Sequence, residues 1–320
     1  TPYSKTKEDI YLIIEKCFFN ECKGCSVYIH TFFDSTQHIV IIECTFQNSI
    51  PSEKEEKECA VIHPDSGCHL LAINIEKCIF NNCWQDENYY LLLYDSNSKD
   101  SGYDIEDIII KDNIISYDDS NNASFAMKIS AYDRNILIKN CSFINSNTNT
   151  ILVDKFVDIN ISNCSFNKCG NIYRHVIIVN GERDTFCTIC NIENCTFNST
   201  LSAIYSYVEG LKIRENIFYN CNEVPISVSG YTSSDCFELT RNQFIDCNMG
   251  CIVHSFIVFE GTSIRNAPVI YGNLFENAYT FGENYQLEQQ NVFIFEVEND
   301  NNRLSSCGFD EQDVSLSPEN

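Results

Sequence analysis

Apolar and polar residues alternate with a period of two along much of this chain. In Val153-Asp-Lys-Phe-Val-Asp-Ile-Asn-Ile161, the residues Val157, Ile159 and Ile161 alternate with polar ones. In Cys164-Ser-Phe166-Asn-Lys-Cys169 the first, third and sixth residues are apolar or small. Such alternation marks half-buried strands, and the β-branched and aromatic content agrees. The spacing predicts a bend between two strands: Ile161 closes one facing inward, Ser162-Asn163 turn the chain, and Cys164 and Phe166 face inward on the next.

The pattern is also repeated. An aliphatic residue, two variable residues, Cys or Asn, one residue and then Phe (Ile in one copy) recur in ten copies, which start at Ile14, Ile41, Ile75, Ile110, Ile138, Ile161, Ile192, Ile213, Leu239 and Ile270. Their Cys/Asn positions run from Cys17 to Asn273, nine steps of about 28 residues, a period typical of solenoids. That length holds three short strands and three turns. The predicted fold is all-β, a right-handed parallel β-helix: a single-stranded solenoid of about ten rungs, each paired in parallel with the one before. The hand follows from the rule for parallel connections. Phe19, Phe46, Phe80, Phe143, Phe166, Phe197, Phe218, Phe244 and Phe275 would then stack, with Ile115 in the fourth rung. No rung buries its face alone, so neighbours share the stability.

One β-helix domain is expected over residues 1–299, with a last strand at Val292–Val297, followed by an acidic and disordered tail over 300–320. Too little chain precedes the first rung to cap it, so either more chain precedes Thr1 or this open edge meets a partner. Thr1 in place of Met suggests a processed chain or an excised segment, with any signal or anchor outside it. The net charge of −24 argues against nucleic acid and anionic membrane surfaces as partners. Without 18 consecutive apolar residues, this segment is not expected to insert into a membrane.

Nineteen cysteines invite two readings. One is a secreted, disulfide-bonded rod. The other places Cys17, Cys44, Cys78, Cys141, Cys164 and Cys195 at a single stacked inward position, where a free thiol serves as a small hydrophobe. The exchange of Cys for Asn at the four remaining copies favours stacking, because inward Asn can form hydrogen-bonded ladders. Cys22-Lys-Gly-Cys25 and Cys187-Thr-Ile-Cys190 lie about five rungs apart, too far to share a zinc ion, and no following helix suits redox work. Asn122, Asn140, Asn160, Asn163, Asn194 and Asn198 head Asn-x-Ser/Thr sequences; Asn140, Asn163, Asn194 and Asn198 flank the Cys/Phe phrase at outward-facing positions and are accessible to glycosylation if the chain is secreted.

Two stretches read as long insertions. Ile50–Cys68 carries the charge run Ser52–Cys59 and reads as a solvated loop. Trp84–Asp107 holds Trp84, Tyr89, Tyr90, Tyr94 and Tyr103 beside Asp86, Asp95, Asp100 and Asp104. Aromatics beside carboxylates could hold a sugar or a calcium ion, so these four aspartates are the metal candidates; plain packing is the alternative. The six histidines are dispersed, with no ligand or dyad spacing. An Asp118-Asp119 dipeptide occurs, but Asn-Thr-Asp, Gly-His-Gly and Arg-Ile-Lys blocks of the polygalacturonase type do not. Arg174, Arg183, Arg214 and Arg241 are candidate substrate clamps only because they are cationic. No catalytic residue and no cofactor is assigned.

The phrase Cys-x-Phe-x-Asn, as in Cys44-Thr-Phe-Gln-Asn48, Cys78-Ile-Phe-Asn-Asn82 and Cys141-Ser-Phe-Ile-Asn145, resembles the repeat of the polymorphic outer membrane proteins. It is closer to the related Cys/Asn-rich β-helix proteins of unicellular eukaryotes, within a pectin lyase-like (pectate-lyase-like) architecture. The likeness covers residues 12–280, and the bacterial Gly-Gly-Ala-Ile element is missing. It implies surface display and adhesion, although repeats report fold more than function. The leading expectation is a non-enzymatic rod for surface display, adhesion or assembly, extracellular or at the cell surface, meeting a protein or glycan partner at a solenoid face or at the open N-terminal end. The alternatives are a carbohydrate-active lyase or hydrolase, and a structural component of an intracellular or filamentous assembly with reduced cysteines.

Overall fold

The computed structural model describes residues 10–29, 37–49, 59–64, 71–83, 89–96, 108–117, 126–131, 135–146, 149–154, 156, 158–170, 175–180, 189–200, 202–208, 210–221, 225–229, 238–249, 257–260, 269–276, 279–280 and 303–305. Every regular element among them is a strand. Three long sheets, of ten, eleven and nine strands, take their strands in turn from each rung, and all neighbouring strands are parallel. The chain is a parallel β-solenoid with three faces.

The first face runs from Ile10–Glu15 to Val269–Tyr271 and the second from Phe18–Asn20 to Leu274–Glu276. The third runs from Val27–Ile29 to Ile257–Glu260. Arg303–Ser305 adds an eleventh strand to the second face by pairing with Leu274–Glu276; it lies inside the stretch read from sequence as an acidic tail. The strand expected at Val292–Val297 lies outside the described residues.

The Phe column is in register throughout. Phe19 pairs with Phe46, Phe46 with Phe80, Phe80 with Ile115, Ile115 with Phe143, and so on through Phe166, Phe197, Phe218, Phe244 and Phe275. At the six Phe–Phe steps between Phe19 and Phe244, ring centroids lie 4.7–5.0 Å apart with interplanar angles of 2–8°. The spacing is that of the strands themselves, about 4.7–4.9 Å, so backbone pairing sets the aromatic stack. Paired isoleucines of the first face (Ile39 and Ile41, Ile73 and Ile75, Ile108 and Ile110, Ile136 and Ile138, Ile159 and Ile161) and apolar residues of the third face complete one continuous buried core. The fourth rung, with the smaller Ile115, also buries Tyr117.

The predicted bend is a single left-handed residue. Lys16, Glu43, Lys77, Asp112, Asn140, Asn163, Asn194, Glu215 and Arg241, each just before the Cys/Asn position, all have φ between 52° and 57°. Asn fits this region best among residues with a side chain. The backbone N–H of the bend residue donates to the next rung, as in Glu43 N to Glu76 O at 3.0 Å and Asn163 N to Glu193 O at 3.1 Å. The ladder therefore continues around the corner.

Two loop readings are corrected. Tyr89–Ser96, inside the expected Trp84–Asp107 insertion, is a regular third-face strand between Cys59–Pro64 and Met127–Ala131. Cys59–Pro64, inside the expected Ile50–Cys68 loop, is the strand before it, paired also with Val27–Ile29. Both segments are continuous apolar runs rather than alternating ones, so the period-two signal passed over them.

Candidate functional site

The Cys/Asn corner column is a hydrogen-bonded ladder. Asn242 accepts from the backbone N–H of Asn216 at 2.9 Å through Oδ1 and donates through Nδ2 to Ile213 O at 2.9 Å. Asn216 treats Cys195 N and Ile192 O in the same way, and Asn273 treats Asn242 N and Leu239 O. Asn113 serves Cys78 N and Ile75 O at 2.8 and 2.9 Å. Where Cys occupies the position, its thiol proton is shared between the equivalent carbonyl (Cys141 to Ile110 O, Cys164 to Ile138 O and Cys195 to Ile161 O, at 3.6–3.7 Å) and the carbonyl two residues before it, at 3.3–3.4 Å. Cys keeps the donor half of the Asn contact, which is why the two exchange.

A second corner column lies five residues on: Cys22, Ser49, Cys83, Ser146, Cys169, Thr200, Cys221 and Cys247, with all but Cys22 buried. The recurrence of Cys, Ser or Thr five residues after the Cys/Asn position, in eight of the ten copies, was present in the sequence, where only Cys169 was read as inward-facing. Cysteines of both columns carry free thiols. Burial pushes the Cys78 and Cys83 thiols up to about 12 and Cys169 to about 11, and drives Cys190 up as well. They stay protonated at neutral pH, so they are poor nucleophiles and poor metal ligands. Thiol labelling of unfolded, unreduced protein is expected to modify more than half of the nineteen cysteines. Fewer than about five reacting would establish a disulfide framework instead.

The residues singled out for chemistry do not converge. Asp95 belongs to a regular strand, where it pairs with Ser130, which in turn pairs with Asp154. Asp86, Asp100, Asp104, Arg174 and Arg183 lie outside the described residues, as do Asp118 and Asp119. Arg214 is bound to Glu238 of the next rung through Nε at 2.8 Å and through a second nitrogen, and it holds the Glu238 carboxyl below the usual range. Arg241 pairs with Glu215 at 3.1 Å. Among the described residues, no three His, Cys, Asp or Glu side chains converge to hold a metal ion. His38 stacks on Tyr11, and His63 meets Tyr28 edge-on with its Nδ1 3.9 Å from Cys25 Sγ. That Cys–His approach, from separate rungs, had no sequence signal.

His175 stacks on Tyr205 with centroids 5.1 Å apart, and burial lowers its pKa to about 4. The unfolded chain therefore binds the proton more readily. Stability from this residue is complete above about pH 6.5 and declines as pH falls towards 4, by about 2–3 kcal/mol near pH 4.5. Denaturant titrations should show this acid loss in the natural protein and lack it in His175→Phe, which keeps a ring for Tyr205.

The most distinctive surface is the outward side of the second face. Over its first nine strands, each flanking the Phe column with two outward residues, the eighteen positions are Phe18 and Asn20, Thr45 and Gln47, Ile79 and Asn81, Ile114 and Ser116, Ser142 and Ile144, Ser165 and Asn167, Thr196 and Asn198, Ile217 and Tyr219, Gln243 and Ile245. None is Asp, Glu, Lys or Arg, in a chain with 66 such residues. The first face carries Glu76, Lys111, Lys139, Glu193, Lys212, Arg214 and Glu238 outward, and the third carries Lys128 and Asp154. Hydroxyls order the strip: Ser165 Oγ donates to Ser142 Oγ at 3.1 Å, and Ser116 Oγ to Asn81 Oδ1 at 3.3 Å. The sequence held this signal in the variable places on either side of each Phe.

Among the described residues, the first rung also exposes apolar side chains. Tyr11, Ile13, Phe18 and Tyr28 are each more than half exposed, and Phe19 is only partly buried where Phe46 beneath it is fully so.

These features define a parallel β-solenoid repeat protein. Comparisons with models of protein families, with curated proteins and with solved structures gave no match.

Proposed function

We propose that the chain is a non-enzymatic rod for surface display, adhesion or assembly, extracellular or at the cell surface. The observation that carries this reading is the uninterrupted outward strip of the second face, free of charge for nine rungs while the other faces mix acids and bases. A repetitive core in continuous register holds that strip in place, and preorganised arrays suit docking over an extended surface. The exposed aromatic side chains of the first rung, Tyr11, Phe18 and Tyr28, offer a further contact for a protein partner. The Cys-x-Phe-x-Asn phrase supports kinship with the Cys/Asn-rich β-helix proteins and the polymorphic outer membrane proteins.

Incubation with polygalacturonate and other acidic glycans, with and without calcium, is expected to release no unsaturated or reducing ends. Cleavage needs a group of tuned pKa and a clamp on the substrate carboxylate, whereas Arg214 and Arg241 are engaged by Glu238 and Glu215. Calcium-dependent release abolished by Asp95→Ala or Asp104→Ala would replace this reading with a lyase. The buried, protonated thiols favour one other setting, an intracellular or filamentous assembly whose cysteines stay reduced. The thiol count distinguishes that setting from a disulfide-bonded secreted rod.

A further inference from the structure

We infer that the uncharged strip of the second face binds a neutral polysaccharide chain laid along the solenoid axis. The inference rests on the rod reading above and names the partner of its docking face. Charge decides the first part. A polyanion would be repelled by a chain of net charge −24, and a polycation would be drawn to the carboxylates of the other surfaces instead of to a strip that has none. A neutral ligand loses nothing on an uncharged strip and, unlike a polyion, need not exchange counterions to bind.

Shape decides the second part. Eight steps of about 4.8 Å by three residues of about 3.3 Å give a flat area of roughly 400 Å². A stable protein interface takes about 800 Å² from each partner. The strip is too narrow for a firm contact with a second copy and suits one linear chain. Sugar units present hydroxyls at their edges and C–H groups on their faces. Ser142, Ser165, Thr196 and Asn198 supply donors and acceptors on three successive rungs, and Ile114 and Tyr219, on the rungs to either side, supply exposed apolar contacts. The hydroxyl contact between Ser142 and Ser165 preorganises two neighbouring rungs, which lowers the ordering cost of binding.

The test is affinity electrophoresis of the full chain through gels containing a mixed-linkage β-glucan, a galactomannan, a dextran or polygalacturonate, at low and high salt. At least one neutral polymer should retard the protein, with little dependence on salt. Ser165→Glu combined with Thr196→Glu should weaken that retardation at least tenfold. Lys212→Glu on the first face changes the net charge by the same two units and should leave it unchanged. If the doubly substituted chain does not fold, as judged by its melting curve, Ser165→Ala combined with Thr196→Val removes both hydroxyls without adding charge and should still weaken binding several-fold. No retardation by any neutral polymer, equal retardation of strip and control variants, or preference for polygalacturonate would overturn the inference. Loss of self-association in the strip variants, with no glycan binding, would also overturn it while leaving the rod reading in place. Release of reducing ends in the same gels would instead sink the rod reading.

Discussion

Replacing Phe166 by Ala is expected to cost about 3–5 kcal/mol in a denaturant titration. Phe166 is fully buried, and its ring lies 5.0 Å from that of Phe143 and 4.9 Å from that of Phe197. Truncation removes two stacking contacts and leaves a cavity between rungs that cannot collapse. Main-chain bonds such as Ser165 N to Cys141 O and Thr196 N to Cys164 O, both 2.9 Å, hold the rung spacing regardless of the side chain. The neighbour Asn167 points outward, and Asn167→Ala should stay within about 0.5 kcal/mol. Because repeats share their stability with nearest neighbours, the loss should also split the rod into two weaker halves. A broadened transition, with lowered cooperativity, is therefore expected together with the shift in midpoint. Equal costs for the two substitutions would show that Phe166 does not belong to the inner column.

The fold was legible because one repeated phrase carries both of its determinants, the inward Phe and the corner Cys or Asn, at a fixed distance from an inward aliphatic residue. Spacing alone then placed Phe19 to Phe275 in one column, and the strand register agrees at every step. The third strand of each rung was less legible. In Tyr89–Ser96 and Cys59–Pro64, apolar side chains follow one another without alternation, so neither a period of two nor the phrase marks them, and they read as loops. The second corner column escaped for a different reason. Cys, Ser and Thr share size and hydrogen-bonding capacity but not hydropathy, so Cys83, Ser146 and Thr200 do not look alike to a hydrophobic pattern. The candidate site was least legible of all. Its signal is the absence of charge at eighteen positions, and that becomes visible only when the rungs are stacked and the outward residues are compared across the sheet.

The Asn ladder supports a second large expected effect. Asn242→Ala should cost about 2–5 kcal/mol, because it strands two buried backbone groups at once, each worth about 1–3 kcal/mol when left unpaired. Those groups are Asn216 N, now 2.9 Å from Asn242 Oδ1, and Ile213 O, 2.9 Å from Nδ2. The side-chain contacts to Asn216 and Asn273, both at 3.1 Å, would go with them. Asn242→Cys should fall between the natural protein and the Ala variant, since a thiol reaches the carbonyl but offers no comparable acceptor to the N–H. The reverse exchange is the sharper test. Cys164→Asn places an amide between Ile138 O, which the thiol already approaches at 3.7 Å, and the backbone N–H of Cys141 in the rung before. It should be neutral or stabilising by about 1 kcal/mol, as expected for one added hydrogen bond, whereas Cys164→Ala should destabilise. A strongly destabilising Cys164→Asn would mean that the cysteine and asparagine rungs are built differently, and that the exchange seen along the column reflects two kinds of corner instead of one.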